Sequence, residues 1–437
     1  TIESYFSQVN YNYDQKYYFT ASIRTDGSSR FVNDKWGTFG SVGASWIITN
    51  EDFMKASEIV RFLKLKTSYG VTGDQAGVGL LSGFNLFNSG NLDGGVSLSP
   101  GTNGNPDLTW ETSKMFQVGV EFGIGKFLDG SIDYYSKLTD NLIFNRFVGP
   151  SEGISSITVN DGELLNAGLE FDFTGHIFQK ENFTLDASIN GEILSNEIKT
   201  MPLDPATGLP QILTPSGNYA WSEGASIFDF YMREWAGVDP SDGAPMWWQY
   251  FDDLNDNGVL DAGEPTSGGA SPWAPVYPNL TNGTASIVEY QKLVGDTNIK
   301  RQVTKTYSAA TEKYVNASAI PDVRGAFRLS GTIGNFNFAT QFTYSLGGYA
   351  YDAQYSELMN DRFGAASVNY HRDILNRWQQ PGDITDVPRL ADGFDQNVVS
   401  SQTRWLTSTD FLALNNVNIG YNVPQTVLEK IGVQSMN

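Results

Sequence analysis

Cysteine is absent from the 437 residues, so disulfide frameworks and thiolate metal sites are excluded. Histidine is nearly absent too. The two present, His176 and His371, show neither metal-ligand spacing nor a Ser/Asp pattern that builds a triad, so an enzyme is not expected and both read as solvated loop residues. No run of about eighteen apolar residues exists, which rules out a transmembrane helix. Basic residues number 28 against 49 acidic ones, a net charge of -21. With no Lys/Arg cluster, this argues against a nucleic-acid or anionic-surface partner. No Pro/Ser linker or composition break divides the chain, so residues 1–437 read as part of one architecture. No signal-peptide n-region or A-x-A site is seen; Thr1 leads directly into Tyr5, Val9, Tyr11 and Tyr13, and the expectation is a chain that starts inside a structure.

What is present is alternation. From Lys16 to Arg24, Tyr17, Phe19, Ala21 and Ile23 interleave with Tyr18, Thr20 and Ser22; Leu63, Leu65, Tyr69 and Val71 interleave with Lys64, Lys66, Ser68 and Gly70. The same period of two recurs through Phe116–Ile124, Leu165–Phe173 and Phe183–Asn190. One face of each strand suits lipid and the other, with Lys64, Lys66, Glu121, Asp133, Glu170, Asp186 and Arg328, suits water. Tight connections at Asp14-Gln15, Lys126 to Asp129 and Gly334-Asn335 contrast with long ones at Asp26 to Thr38, Thr72 to Thr109, Thr139 to Gly162, Ser195 to Ile227 and Gly347 to Thr403. Outer-membrane barrels keep short turns on the periplasmic side and long loops outside. Glu51 to Val60 and Gln425 to Ile431 read as mildly helical short-side links. The fold class is therefore all-β: a large antiparallel transmembrane β-barrel, present in part, with about fourteen strands against roughly 22 in the largest plugged transporters.

Several strings resemble one family. Arg24-Thr25-Asp26-Gly27-Ser28-Ser29-Arg30-Phe31, Lys35-Trp36-Gly37-Thr38-Phe39, Leu63 to Gln75 ending in Gly73-Asp74-Gln75, Asn105-Pro106-Asp107-Leu108-Thr109-Trp110-Glu111 and Leu414 to Tyr421 resemble, in order, the SusC/RagA-like TonB-dependent transporters of Bacteroidetes outer membranes. So do Trp235 to Pro240, Asp253 to Gly258 and Arg377-Trp378 with Pro381-Gly382-Asp383. Thr281 to Ser318 matches no family motif, and Ala319-Ile320-Pro321-Asp322 stands where the family has a Gly-Asn-Pro turn. The resemblance implies a plug domain and TonB box outside this sequence, missing final strands, a SusD-like surface lipoprotein as lid, a TonB complex as energy source, and a dimer of transporter–lipoprotein pairs. The implied cargo is oligosaccharide, with peptide as the alternative.

Residues 253–264 follow the twelve-position calcium loop: Asp253 at position 1, Asn255 at 3, Asn257 at 5, Gly258 at the turn, Val259 at 7, Asp261 at 9 and Glu264 at 12. The expectation is a structural Ca²⁺; the bland reading is an Asx-rich turn. Among 10 Trp, 21 Tyr and 27 Phe, the loop residues Trp221, Trp247, Trp248 and Trp273 are the candidates for substrate stacking. Tyr17, Phe19, Tyr134, Phe173, Phe336, Tyr344 and Tyr421 fit interfacial girdles. Two other classes compete: a passive porin-like barrel, and a calcium-stabilised secreted carbohydrate-binding β-protein.

Overall fold

The computed structural model describes residues 1–148, 153, 156–203, 208–213, 217–266, 287–360, 369–390, 395, 397–424 and 428. In chain order the first ten strands are β1 (Ile2–Tyr13), β2 (Tyr17–Ser28), β3 (Trp36–Ile47), β4 (Val60–Asp74), β5 (Leu86–Leu92), β6 (Gly95–Thr102), β7 (Glu111–Ile124), β8 (Leu128–Phe147), β9 (Ser156–Lys180) and β10 (Phe183–Thr200). Then follow β11 (Asp229–Arg233), β12 (Trp235–Val238), β13 (Pro245–Asp252), helix α1 (Ile287–Val294), β14 (Ile299–Thr304), β15 (Glu312–Ser318), β16 (Val323–Ile333), β17 (Phe336–Leu346), β18 (Tyr349–Tyr351), helix α2 (Ala353–Leu358), β19 (Leu406–Ser408) and β20 (Phe411–Tyr421).

Eleven strands form one antiparallel sheet, ordered β1-β2-β3-β4-β7-β8-β9-β10-β16-β17-β20. Every neighbour pair is sequential within the wall, so this is an up-and-down meander. The sheet is open, with β1 and β20 at its edges: among the described residues a partial barrel of eleven wall strands, fewer than the about fourteen the alternation predicts. Strands β5 and β6, β11 to β15, and β18 and β19 build small sheets outside the wall.

Turn chemistry fixes the register. Asp14 and Gln15 both have positive φ, 51° and 52°, the geometry whose twist matches flanking strands. Asn12 Oδ1 accepts from the Gln15 N–H at 3.1 Å, and Asn50 Nδ2 donates to the Gln15 carbonyl at 2.7 Å, which holds a non-glycine residue in that region. From this turn the ladder carries one row across five strands: Tyr11, Phe19, Ala44, Thr67 and Val118. The next row on the opposite face holds Lys66, Gly119 and Asp133. The first face leaves Phe19, Val42, Leu65, Tyr69, Val118, Tyr134, Leu169, Ile189 and Leu329 exposed. An apolar belt of that extent is a membrane surface.

Residues 139–147 and 156–162 correct the loop expected from 139 to 162, of which 149–152, 154 and 155 lie outside the described residues. Strands β8 and β9 run for 20 and 25 residues and pair from Leu128↔Gly175 to Phe147↔Ser156. A spanning strand needs about 9–11 residues, so their outer halves rise above the bilayer as a two-stranded ribbon. The Asn and Asp that signalled a loop are satisfied by partners there: Asp140 pairs with Lys114, Asp161 with Arg146, and Asn160 donates to the Thr109 and Asn141 carbonyls. Register breaks between Thr139 and Leu142 and between Leu142 and Phe144 absorb the irregular residues, with Asn141 at φ 55°. Glu51 to Val60 is a second correction. Only Ile48–Asn50 makes a 3-10 turn, followed by successive turns closed by Met54 N–H to the Glu51 carbonyl and Ser57 N–H to the Met54 carbonyl rather than by an α-helix. Of the helical link expected at 425–431 only Leu428 is described, so that expectation lies outside the described residues.

Candidate substrate passage and outer lobe

The inner face of the wall carries charge pairs at cross-strand spacing. Lys64 Nζ lies 3.3 Å from Glu121 Oε2; Lys66 Nζ lies 3.1 Å from Glu121 Oε1 and 3.0 Å from Asp133 Oδ1. A Cβ at Gly119 would collide with Asp133 Oδ1 and sit 2.8 Å from Lys66 Cε, so glycine there makes room for the ladder. The sequence named these charges but not their pairing. Nearer the periplasmic turns, His176 lies between two carboxylates, with Nδ1 2.6 Å from Asp186 Oδ1 and Nε2 3.1 Å from Asp129 Oδ2. It is a strand residue on β9, not the solvated loop residue expected. A bulge between Leu185 and Asp186 sets the pairing that brings Asp186 opposite it. Arg61 also pairs with Asp129.

Toward the outer end a cavity of about 810 Å³ opens on the same face, lined by Asp133, Glu170, Asp172, Glu192, Arg324 and Phe411 among others. Glu192 joins three strands: Tyr135 OH donates to Oε1 at 2.9 Å, and Arg324 donates to Oε2 from Nε at 2.9 Å and from Nη2 at 2.8 Å. Four carboxylates against one guanidinium make the cavity acidic. It offers hydrogen-bond acceptors to hydroxyl, amide or ammonium donors and repels anions. Sequence reasoning missed Glu192 and Arg324, because nothing local marks two residues 132 apart as partners.

Above the cavity the two longest connections interlock into a lobe. Strands β12, β13 and β14 form one small sheet, β11 and β15 another, β18 and β19 a third. Trp247 is 2 % exposed. Its indole N–H donates to Gln402 Oε1, and its ring meets Trp235 and Tyr307 edge-on at 5.9 and 5.3 Å. Trp247 is thus a core residue rather than a free stacking face, since both sides of its indole are covered. Trp221 is half-buried, donates to the Ile227 carbonyl at 3.3 Å and packs against Phe144. Trp248 is half-buried, with Arg301 4.0 Å above its ring. Trp273 lies outside the described residues. The segments are tied further by Gly382 N–H to the Pro240 carbonyl at 2.8 Å, Trp378 Nε1 to the same carbonyl at 3.0 Å and Tyr307 OH to the Ser401 carbonyl at 2.8 Å. His371 caps a short 3-10 turn, its Nδ1 accepting from the Asp373 N–H at 3.3 Å.

On the lobe surface Lys305 lies 2.6 Å from Asp239 and 3.0 Å from Asp242. Lys305, then the Ser241 hydroxyl and N–H, hold the Asp239 carboxyl well below the usual carboxylate range. The Ala244 N–H and then Lys305 lower Asp242, and both carboxylates raise Lys305.

Residues 253–264 leave the end of β13 as a closed loop. Asp253, 2 % exposed, accepts from the Asn257 N–H at 3.1 Å and the Gly258 N–H at 2.7 Å. Asn255 Oδ1 accepts from the Asn257 N–H at 3.1 Å, and Asn257 Oδ1 from the Val259 N–H at 2.7 Å. Glu264 accepts from the Leu254 and Asp261 N–H groups, each at 2.9 Å. Both Asn side chains donate to Asp261 Oδ2 at 2.7 Å. The side chains of Asp253, Asn255, Asn257, Asp261 and Glu264 therefore fold back on one loop. However, among the described residues no three Asp, Glu, His or Cys side chains are arranged to hold a metal, and the loop closes through Asx-type bonds of its own.

The family strings meet in space. Phe31, Val78, Leu108 and Trp110 form one buried cluster with Phe39 and Ile143 against it. Arg30 Nη1 donates to the Gln75 and Val78 carbonyls at 3.2 and 2.7 Å, and Asn33 Nδ2 to Asp107 at 2.7 Å. Asn160 bonds the Thr109 backbone in both directions at 3.0 Å. These strings are the packing that clamps the outer ends of neighbouring wall strands.

The family model for the TonB dependent receptor-like β-barrel matches residues 1–250, more than half of the chain. The chain belongs to that family: it is an outer-membrane β-barrel of the TonB-dependent type. It is 29 % identical over 444 residues to TonB-dependent receptor P39 of Formosa agariphila, covering 99 % of this chain and 41 % of that protein. Against TonB-dependent receptor SusC of Bacteroides thetaiotaomicron it is 30 % identical over 281 residues, covering 60 % and 28 %. The RagAB peptide transporter structure superposes with TM-score 0.73 at 26 % identity, covering 98 % of this chain and 42 % of that one. The chain thus spans about 40 % of the length of the curated relatives it matches over its whole extent.

Proposed function

We propose that this chain supplies part of the wall and the outer mouth of a TonB-dependent importer of oligosaccharides, working with a SusD-like surface lipoprotein. The observation that carries the reading is the polar inner face, from the Lys64–Glu121–Lys66–Asp133 ladder to the acidic cavity at its outer end. An apolar outer face and a wet inner one make a passage, which supports a role in transport. The open edges β1 and β20 cannot remain unpaired in hydrocarbon, so further strands complete the barrel. Energy from a TonB complex and a dimer of transporter–lipoprotein pairs complete the reading. Passive porin behaviour would show as uptake that persists without TonB.

The acidic cavity favours neutral or cationic cargo over anionic. Peptide is the second reading, supported by the superposition on a peptide transporter along 98 % of this chain. Calorimetry on the intact transporter–lipoprotein complex with a neutral oligosaccharide panel, a short-peptide panel and their anionic counterparts separates the two. Binding of neutral oligosaccharides, weakened by Glu192→Gln, supports the first reading; binding of peptides alone overturns it.

The loop at Asp253 to Glu264 is the proposed seat of a structural Ca²⁺, supported by the order of its oxygen-bearing residues and by the convergence of Asn255, Asn257 and Asp261. Cation binding there requires the two carboxamides to turn their oxygens inward, and it would neutralise Asp253, Asp261 and Glu264. The expected affinity is weak, roughly 10⁻⁴ to 10⁻³ M.

A further inference from the structure

The outer face of the wall is not uniformly studded. Where most rows present large side chains, the row across β3 and β4 presents Ala44 and Thr67 side by side. Around them stand Tyr11 and Phe19 on one side, Val118 on the other, and Tyr17, Trp46 and Leu65 at the periplasmic end. The result is a pit of about 430 Å³. Its floor is apolar in effect, because the Thr67 hydroxyl donates to the Gln117 carbonyl at 3.0 Å and has no need of another partner.

Beside the pit, at the tight turn of β1 and β2, a charged rim is held rigidly. Glu51 Oε1 accepts from Tyr17 OH at 2.6 Å and from Trp46 Nε1 at 3.1 Å; Lys16 Nζ lies 3.2 Å from Glu51 Oε2 and 3.3 Å from Asp14 Oδ2. Tyr17 and Trp46 stack at 6.2 Å, so the two rings that wall the pit are the same two that are anchored to Glu51. Ala44 is three residues from the end of β3, about 10 Å along the strand. That is within reach of the acyl chain of a lipid whose headgroup sits at the turn.

We propose that this pit and rim form a seat for one zwitterionic aminophospholipid of the periplasmic leaflet, with an acyl chain over Ala44 and Thr67, its phosphate on Lys16 and its ammonium on Asp14. Charge complementarity selects the occupant. Lys16, Asp14 and Glu51 together carry one net negative charge, which disfavours an anionic headgroup; one cation beside an exposed carboxylate matches a phosphate followed by a primary ammonium. A choline headgroup supplies no N–H to Asp14. The tight turn places the seat on the periplasmic side, away from the outer leaflet. This lipid role is independent of the imported cargo, so its failure leaves the transport reading untouched.

The test is native mass spectrometry of the intact transporter released from nanodiscs containing equal parts of phosphatidylethanolamine, phosphatidylcholine and phosphatidylglycerol. The expected result is retention of phosphatidylethanolamine over phosphatidylglycerol by about fivefold, the size of effect one charge has at a membrane surface. Ala44→Phe, which fills the pit, should abolish that retention while the barrel keeps its heat-modifiable mobility; Thr67→Leu gives the same test if the first variant assembles poorly. Asp14→Asn should bring phosphatidylethanolamine down to the level of phosphatidylcholine. Equal retention of the three headgroups, or unchanged retention in both filled variants, overturns the proposal.

Discussion

The wall and the outer lobe are built on opposite principles. In the wall, each strand pairs with the next wall strand along the chain, hairpins such as β1–β2 and β16–β17 turn in two or three residues, and side chains meet lipid on one face and water on the other. In the lobe, short helical turns and irregular segments gather Met359, Ile374, Val387, Val398 and Trp405 into a core, and decisive contacts join residues more than a hundred positions apart. Local pattern thus suffices for the wall, while the lobe depends on two long connections finding each other.

The sharpest way to break that comparison is Trp247→Ala. Removing a fully enclosed indole should cost about 3–5 kcal/mol, confined to the lobe. Hydrogen exchange should rise across residues 229–252 and 299–318 while the wall retains heat-modifiable mobility; loss of the wall as well would contradict independent stabilities. Next in size, Leu65→Arg should destabilise the wall by roughly 2–4 kcal/mol at the bilayer midplane, whereas Lys64→Gln on the other face should assemble normally. Equal assembly yields would count against a lipid face. Gln402→Ala leaves the Trp247 N–H without its partner and should loosen the lobe by about 1–3 kcal/mol, measurable by limited proteolysis.

A smaller effect is expected from pH. The lowered Asp239 and Asp242 carboxyls give support that is complete above the unfolded value of 3.8 and fades as pH falls below it toward their folded values. Raised Lys305 gives support that is complete below 10.5 and is lost as pH rises above it. Proteolytic resistance of residues 239–243 should therefore be flat from about pH 5 to 9, and Lys305→Met should lower it throughout that window. The smallest change is Asp253→Ala with Glu264→Gln, which should remove any calcium-dependent heat and leave the wall unaffected; identical calorimetry for both proteins would favour a metal-free Asx turn.

How far the sequence could be read follows the same division. Alternation in Lys16–Arg24 and Phe116–Ile124 announced β2 and β7 because a strand with two different solvents must alternate. Residues 139–148 and 156–162 misled because their Asn, Asp and Gly have the composition of a loop, yet they pair as the outer ends of β8 and β9, with Ile143 packed on the Phe31 cluster and Phe144 on Trp221. Trp247 read as a loop aromatic because the residue that encloses its N–H, Gln402, is 155 positions away. His176 read as solvated because a bulge, invisible in the pattern, sets Asp186 opposite it. The calcium-type spacing of residues 253–264 was legible as a loop that folds on itself, since Asx turns and cation loops share the same N–H acceptors.

The absence of cysteine permits the most direct test of the two-faced wall. Single cysteines placed from Leu63 to Val71 along β4 in the full-length transporter, embedded in membranes, are exposed to a water-soluble and to a lipid-soluble maleimide. Positions 64, 66, 68 and 70 should react with the first, and positions 63, 65, 67, 69 and 71 with the second. Reaction of all positions with the water-soluble reagent, or labelling without a period of two, would contradict a membrane-spanning wall.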